Sequence, residues 1–475
     1  MKKYILIGLL VNLSIPAGFA ADDLEDALSG FDEPVLKKES SELDDALEGF
    51  DDKESTAQFT TLENTASTES MSISGNIGFE SSYNTAHDAP AGENVDYRGF
   101  SKLLISADVL IDFTLSKNWK AKVELQSAYD LIYSINDSEN YNADTLSTYE
   151  SDIDFSEVYI IGSMTESVDI KFGRQIEVWG KSDSIRVTDV INPLDNREPG
   201  LIDIEDLRLP VLISKLSLYS GDWSYNLLAI HEQRNPVEAA IDSEFFPTSA
   251  LPFPPDFVMP DVGDGEIDLS ETTLAISIDG RFSGWDLSLY AGRVTDSRWH
   301  FENNQTQRLY GLIDMTGIAT NFIVNGFLIK AEIAYLSNLV YNTTSDKKSR
   351  VDSLLGIEYQ GITDWVLSAE YANRSIQDYE DQMINSPDNV EENTAQLAIR
   401  TSYSFDHDNA TVTLLHSTLG SGGEQGGFNR LWIDYAVNDQ VQVSAGYIDY
   451  LSGTNVMWDA ISDNDRLFFN AKYSF

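Results

Sequence analysis

From Met71 to the C-terminus, apolar and polar residues alternate nearly one by one. In "MSISGNIGF", Met71, Ile73, Ile77 and Phe79 alternate with Ser72, Ser74, Asn76 and Gly78. In "NWKAKVELQSAYDLIY", Trp119, Ala121, Val123, Leu125, Tyr129, Leu131 and Tyr133 share one face, and Lys120, Lys122, Glu124, Gln126 and Asp130 share the other. The pattern returns around Trp285–Ala291, Phe327–Tyr335, Val351–Tyr359, Trp365–Tyr371, Ala395–Tyr403 and Val441–Tyr447. A period of two places unlike residues on opposite faces of a strand. The chain ends the same way, on "RLFFNAKYSF". Leu467, Phe469, Ala471, Tyr473 and Phe475 lie on one face, and Phe468 is the one apolar residue on the other.

The apolar faces tend to begin or end in an aromatic residue: Trp119 and Tyr133, Phe327 and Tyr335, Trp365 and Tyr371. Aromatic rings at both edges of an apolar band mark the two interfaces of a membrane β-barrel. The connections alternate in length. "KN", "SGD", "QGIT" and "VND" are tight turns; 84–99, 134–152, 176–208, 234–270, 295–306, 338–349, 375–392 and 451–463 are long and polar. A β-helix would show a repeat, and none is visible. A β-sandwich of so many strands would need the other face of each to be water-exposed throughout. In lipid only a closed sheet satisfies every backbone group, so the apolar face must point outward. The expected fold is therefore all-β: a transmembrane antiparallel β-barrel over 71–475 of about 18 strands, with 16 as the alternative. An even count brings both barrel ends to the periplasmic side.

The first twenty residues, with "MKK", the apolar "YILIGLLVNL" and the small-residue exit "AGFA", read as a signal peptide cut after Ala20. Export, together with the barrel, points to the outer membrane of a Gram-negative bacterium. There is no cysteine, so nothing is stapled by disulfides. The formal charge is −47, from 78 acidic and 31 basic residues. A chain this acidic is no nucleic-acid partner.

Enzymatic chemistry is not visible. None of His87, His231, His300, His407 and His416 stands in a catalytic or metal-ligating spacing, and no Gly-x-Ser-x-Gly occurs. The acidic stretch 136–154 raises the question of calcium but lacks an EF-hand register, and a solvated loop is the plainer reading. No cofactor or metal site is expected. The 245–265 stretch holds five prolines and reads as a stiff apolar loop, either folded into the mouth or presented outside.

The richest stretch is "GRQIEVWGKSDSIRVTDVINPLDNREPG", 173–200. Trp179, Ile185, Val187, Val190 and Ile191 need burial, whereas Arg174, Glu177, Lys181, Asp183, Arg186 and Asp189 need paired or hydrated surroundings. A loop folded back into the lumen supplies both. Arg174, Gln175, Glu177, Trp179, Lys181, Asp183 and Arg186 are then candidates for a pore constriction, or for a clamp whose ions only pair with one another. Gly-Arg-Gln, then Trp-Gly, then Asn-Pro resembles an uncharacterised family of outer-membrane, porin-like barrels found beside RND-type exporters. Alginate-export barrels share the Gly-Arg-Gln part. The resemblance implies a channel or export barrel. Its pattern often has an acidic residue after Trp-Gly, where this chain has Lys181.

A lumen lined by Lys102, Asp108, Lys120, Lys122, Glu124, Lys330, Glu332, Glu358, Glu370 and Arg400 is mixed in charge, and from these residues alone neither ion is favoured. The expected function is passive passage of small or amphipathic solutes, with the pore narrowed by the 176–208 loop. The alternative is an outer-membrane component of a lipid or polymer export assembly working with an inner-membrane RND-type pump. Outer-membrane lipid is the expected surrounding. By resemblance, a strand ending in Phe475 is what the barrel-insertion machinery recognises.

Residues 21–70 hold sixteen acidic residues and three lysines, a composition expected to be mostly disordered. "LEDALSGFDE" and "LDDALEGFDD" start nineteen residues apart. Leu24, Leu28 and Phe31, and again Leu43, Leu47 and Phe50, would form one stripe on a short helix. Residues 21–54 are thus either a spacer or a pair of docking helices for a periplasmic or exporter partner or for the barrel's own periplasmic mouth.

Overall fold

The computed structural model describes residues 70–90, 95–247, 260, 262, 267, 269–302 and 307–475. The predicted signal peptide and the duplicated helices, with Leu24, Leu28, Phe31, Leu43, Leu47 and Phe50, lie outside the described residues, as does most of the proline-rich stretch.

Eighteen antiparallel strands close into one barrel. In chain order they are β1 (Met71–Asn84), β2 (Gly99–Ser116), β3 (Trp119–Asp130), β4 (Ser151–Thr165), β5 (Val168–Gln175), β7 (Val211–Ser220), β8 (Trp223–Ile230), β10 (Thr273–Phe282), β11 (Trp285–Glu302), β12 (Gln307–Val324), β13 (Phe327–Leu339), β14 (Lys348–Ile362), β15 (Trp365–Gln377), β16 (Asn393–Phe405), β17 (Ala410–Leu419), β18 (Gly426–Ala436), β19 (Val441–Leu451) and β20 (Arg466–Ser474). Two short strands, β6 (Asp195–Asn196) and β9 (Val237–Glu238), pair with each other outside the wall. The barrel closes by β1 against β20, from Asn76 opposite Ser474 to Asn84 opposite Arg466. Phe475 continues that seam, exchanging both backbone bonds with Gly75 at 3.0 Å.

Alternation sets the two surfaces. Ile333, Tyr335, Leu355, Ile357, Leu367, Tyr371, Leu467 and Phe469 are exposed on the outside, as a lipid-facing wall requires. Rings gather near the short turns: Phe282 on Trp285 at 4.4 Å, Phe327 on Tyr359 at 4.5 Å, Trp365 on Tyr403 at 4.9 Å. A second set, including Tyr83, Phe100, Tyr129, Tyr335 and Tyr371, lies toward the long loops. The nine residues from Phe327 to Tyr335, on a tilted strand, span roughly 20 Å between the two belts. Phe468, out of phase in the sequence, points inward and is buried beneath Arg430.

Two expectations need correction. The 295–306 segment is largely strand, not loop. β11 runs on to Glu302 and β12 resumes at Gln307, with a register shift between Thr295 and Trp299 that bends the pair. Conversely, β3 stops at Asp130. Its carboxylate accepts the backbone N–H groups of Leu103 (2.9 Å) and Ile132 (3.0 Å), and the chain turns into the short helix Ile132–Ile135. Tyr133 therefore leaves the expected lipid-facing row and packs edge-on against Tyr141, at 4.8 Å, in a small loop core.

Candidate functional site: the lumen and its folded-in loop

The connection from β5 to β7, residues 176–210, crosses the lumen. Its apolar side chains, Trp179, Ile185, Val187 and Ile191, join one core with inward residues of the wall, among them Leu228, Tyr290, Met315, Ala334, Leu354, Ala372 and Leu415. Trp179 stacks on Tyr290 at 4.7 Å. Hydrophobic burial draws the loop inward, but the backbone of an irregular segment must also find partners away from water.

Two wall carboxylates supply them. Glu332 on β13 accepts the N–H groups of Lys181 (2.5 Å), Ser182 (2.8 Å) and Thr188 (3.0 Å) and the Thr188 hydroxyl (2.6 Å). Glu370 on β15 accepts those of Asp183 (2.8 Å), Ser184 (2.9 Å) and Ile185 (3.1 Å). Both carboxylates are nearly fully buried. Each thus sits in a nest of main-chain donors, which stabilises a negative charge without a full counter-charge. Each stands five residues from its short-turn end, at Phe327 and Trp365. The loop tip therefore passes the middle of the wall.

The sequence motif around the loop now has a physical content. Gly173 has φ 138°, and a Cβ there would meet the Val158 carbonyl oxygen at 2.1 Å. Gly180 has φ 90°, and a Cβ there would crowd the Glu332 carboxylate at 3.0 Å. Only glycine suits either place. Asn192 ties the loop's two ends together: its Oδ1 accepts the Glu177 N–H at 2.8 Å, and its Nδ2 donates to the Leu209 carbonyl at 2.7 Å.

Each predicted candidate is engaged with the wall or the loop. Arg174 pairs with Glu232 and, at 3.2 Å, with Asp154. Gln175, fully buried, donates to the carbonyls of Gly173 and Ile213. Glu177 accepts Lys215 at 2.8 Å, Lys181 lies 3.4 Å from Asp286, and Asp183 pairs with Lys330. Arg186 lies 3.1 Å from Asp189, which also holds Arg208 at 2.9 Å; burial draws the Arg186 guanidinium below its ordinary value.

The rest of the loop turns to the opposite wall. Arg197 reaches Asp152 at 3.5 Å and the Thr148 carbonyl at 2.6 Å. Lys102 bridges Glu80 (2.9 Å) and Glu198 (2.8 Å). Burial pushes Glu198 up, but Lys102 more than offsets it and holds the carboxyl below its usual range. Asp203 pairs with Arg430 (2.9 Å) and Arg400 (3.3 Å). Here a cavity of about 790 Å³ remains between the loop and strands β1–β4 and β18–β20, reaching from Lys102 down to Gln442 and Lys472.

The start of the second long connection, 234–270, also turns into the mouth. Part of the β8–β10 loop reaches almost the opposite side of the barrel. Glu244 pairs with Arg466 of β20 at 2.8 Å, and Phe245 is buried with Ile448, Tyr450 and Ile461. Arg466 also lies over the Phe245 ring at 4.6 Å. Tyr97 donates to the Asp242 carbonyl at 3.1 Å, and Asn142 to that of Ile241 at 2.7 Å. The apolar character of this loop was legible in the sequence, but nothing there marked Arg466 as the partner of Glu244.

Among solved structures, the chain is similar to the outer membrane protein opdK from Pseudomonas aeruginosa, at 9% identity and a TM-score of 0.48, covering 85% of this chain and 99% of that one. OccK3 (OpdO) from Pseudomonas aeruginosa stands at 9%, 0.47, 85% and 95%, and Salmonella typhi OmpF in complex with daunomycin at 12%, 0.41, 85% and 97%. Nothing about solutes follows from likeness at this level. No curated protein matches the chain. Residues 94–475, most of the barrel, match the family DUF1302, described as a protein of unknown function, and the chain belongs to that family.

Proposed function

We propose that this chain is an outer-membrane channel through which small or amphipathic solutes pass passively, its pore narrowed by the 176–208 loop. The observation that carries this reading is the 790 Å³ cavity left beside the loop, inside a wall whose outer face is apolar and ringed by aromatics. The loop is both constriction and clamp. Its apolar half is anchored, and its polar half borders the remaining space.

Planar-bilayer recording of the purified full chain tests the reading. Stepwise currents support a channel. A silent barrel that is nonetheless heat-modifiable on detergent gels rejects passive passage in favour of a barrel opened by an export partner. Residues 21–54 are the proposed docking segment for such a partner. Phe31→Ala with Phe50→Ala should then abolish its capture. Removal of Phe475 should lower surface assembly, because the terminal strand loses both its aromatic end and its bonds to Gly75.

A further inference from the structure

The cavity is not balanced in charge. Nine carboxylates line it against four cations, Lys102, Arg197, Arg430 and Lys472. The first three are already bonded to carboxylates: Lys102 to Glu80 and Glu198, Arg197 to Asp195 and Asp152, Arg430 to Asp203. Asp108, Asp206 and Asp434 form no salt bridge with a described residue, and Lys472 is the remaining cation set against Asp108 and Asp206. Basic side chains just outside the lining, such as Lys122, Arg174 and Arg234, are paired with Glu157, Glu232 and Asp154. They do not reverse the sign.

Resting on the channel reading, we infer that this lumen passes small cations in preference to anions, with Asp108, Asp206 and Asp434 setting the preference. A low-dielectric wall focuses the field of a net charge into the water beside it, so an excess of fixed carboxylates raises local cation concentration and repels anions. Coordination is not required: no described group of three or more His, Asp or Glu side chains is placed to hold a metal ion. The chain's overall charge of −47 could add its own cation preference from outside the lumen, but exposed charge is screened within about 3 Å at 1 M salt, against about 10 Å at 0.1 M. A preference that survives high salt therefore belongs to the lumen.

The experiment is the reversal potential of the full chain in a planar bilayer across a KCl gradient, at low and at molar salt. The expected result is a potassium-to-chloride permeability ratio of about three or more, retained in part at molar salt. The triple variant Asp108→Asn, Asp206→Asn, Asp434→Asn should bring the ratio toward unity while stepwise currents persist. A wild-type ratio of one or less, or a ratio unchanged in the triple variant, overturns the inference and leaves the channel standing. The absence of any current in wild type and in a variant lacking 177–200 rejects the channel and this inference with it.

Discussion

On one side of the lumen, from β8 to β17, the inward positions hold Leu228, Ala275, Met315, Ala334, Leu354, Ala372 and Leu415, and the 176–191 segment packs on them as on a protein core. On the other, from β18 round to β4, they hold Asp434, Lys472, Asp108 and Glu124, and the returning part of the loop leaves the cavity of about 790 Å³ open. The same alternation of a strand thus makes two different interiors. What differs is not the period but the residues on its inward phase. A barrel wide enough to conduct water can be half filled by its own chain, provided the filling segment brings apolar side chains and the wall offers acceptors for its main chain.

Removing the filling is the strongest way to break this contrast. Deleting 177–200 with a short turn in its place should multiply single-channel conductance severalfold while the barrel stays heat-modifiable. Unchanged conductance would show that the loop does not set the pore. Next comes the double change Glu332→Ala with Glu370→Ala, which orphans six backbone N–H groups and one hydroxyl. Buried networks of this kind cost about 3–5 kcal/mol when an acceptor is lost, so the temperature at which the gel-fast form disappears should fall and currents should become noisy. Trp179→Ala removes a stacked, buried ring and should destabilise by about 3–5 kcal/mol at most, less where the loop can relax, with the acidic side's ion selectivity unmoved. Gly180→Ala, which forces a side chain into positive φ against Glu332, should cost about 1–2 kcal/mol and loosen the same anchor.

The smallest effect tests the other side. Burial, and then the neighbouring Asp203, push the Asp206 carboxyl above the usual carboxylate range, with Lys472, Arg208 and Arg430 opposing. Such a group gains its proton earlier than other carboxylates as pH falls. Mild acidification should therefore lower the potassium-to-chloride ratio slightly, and Asp206→Asn should make that step smaller.

Much of the wall was legible because burial on one face writes itself as a period of two. The strands, their turns and the outward face of the C-terminal strand follow from it. The period fails where membrane burial ends. Between Thr295 and Trp299 the ladder slips its register and then resumes beyond the apolar belt, and at Asp130 a side chain caps the turn that ends β3. The loop's inward fold was also legible, since Trp179 and Ile185 could not remain in water beside Arg186. Its anchors were not. Glu332 and Glu370 read as charges lining the pore, because nothing within a strand says that a carboxylate will bind main-chain donors some 150–190 residues earlier. Phe468, the one misfit in the terminal alternation, belongs to the lumen core.

The Glu244–Arg466 pair joins residues 222 apart. Its partner arrives only on the last strand, the same strand that completes the seam with β1. Tyr97 and Asn142 can hold the β8–β10 loop earlier, but its ion pair forms only once the ring is closed, and that pair carries the closure to the far side of the mouth. Contacts between such distant residues form late, after their chain-closure entropy has been met by others. The latch is in this sense a timekeeper: a chain truncated before Arg466 would lack this hold on the mouth as well as the closed seam, and the final strand supplies both in a single step.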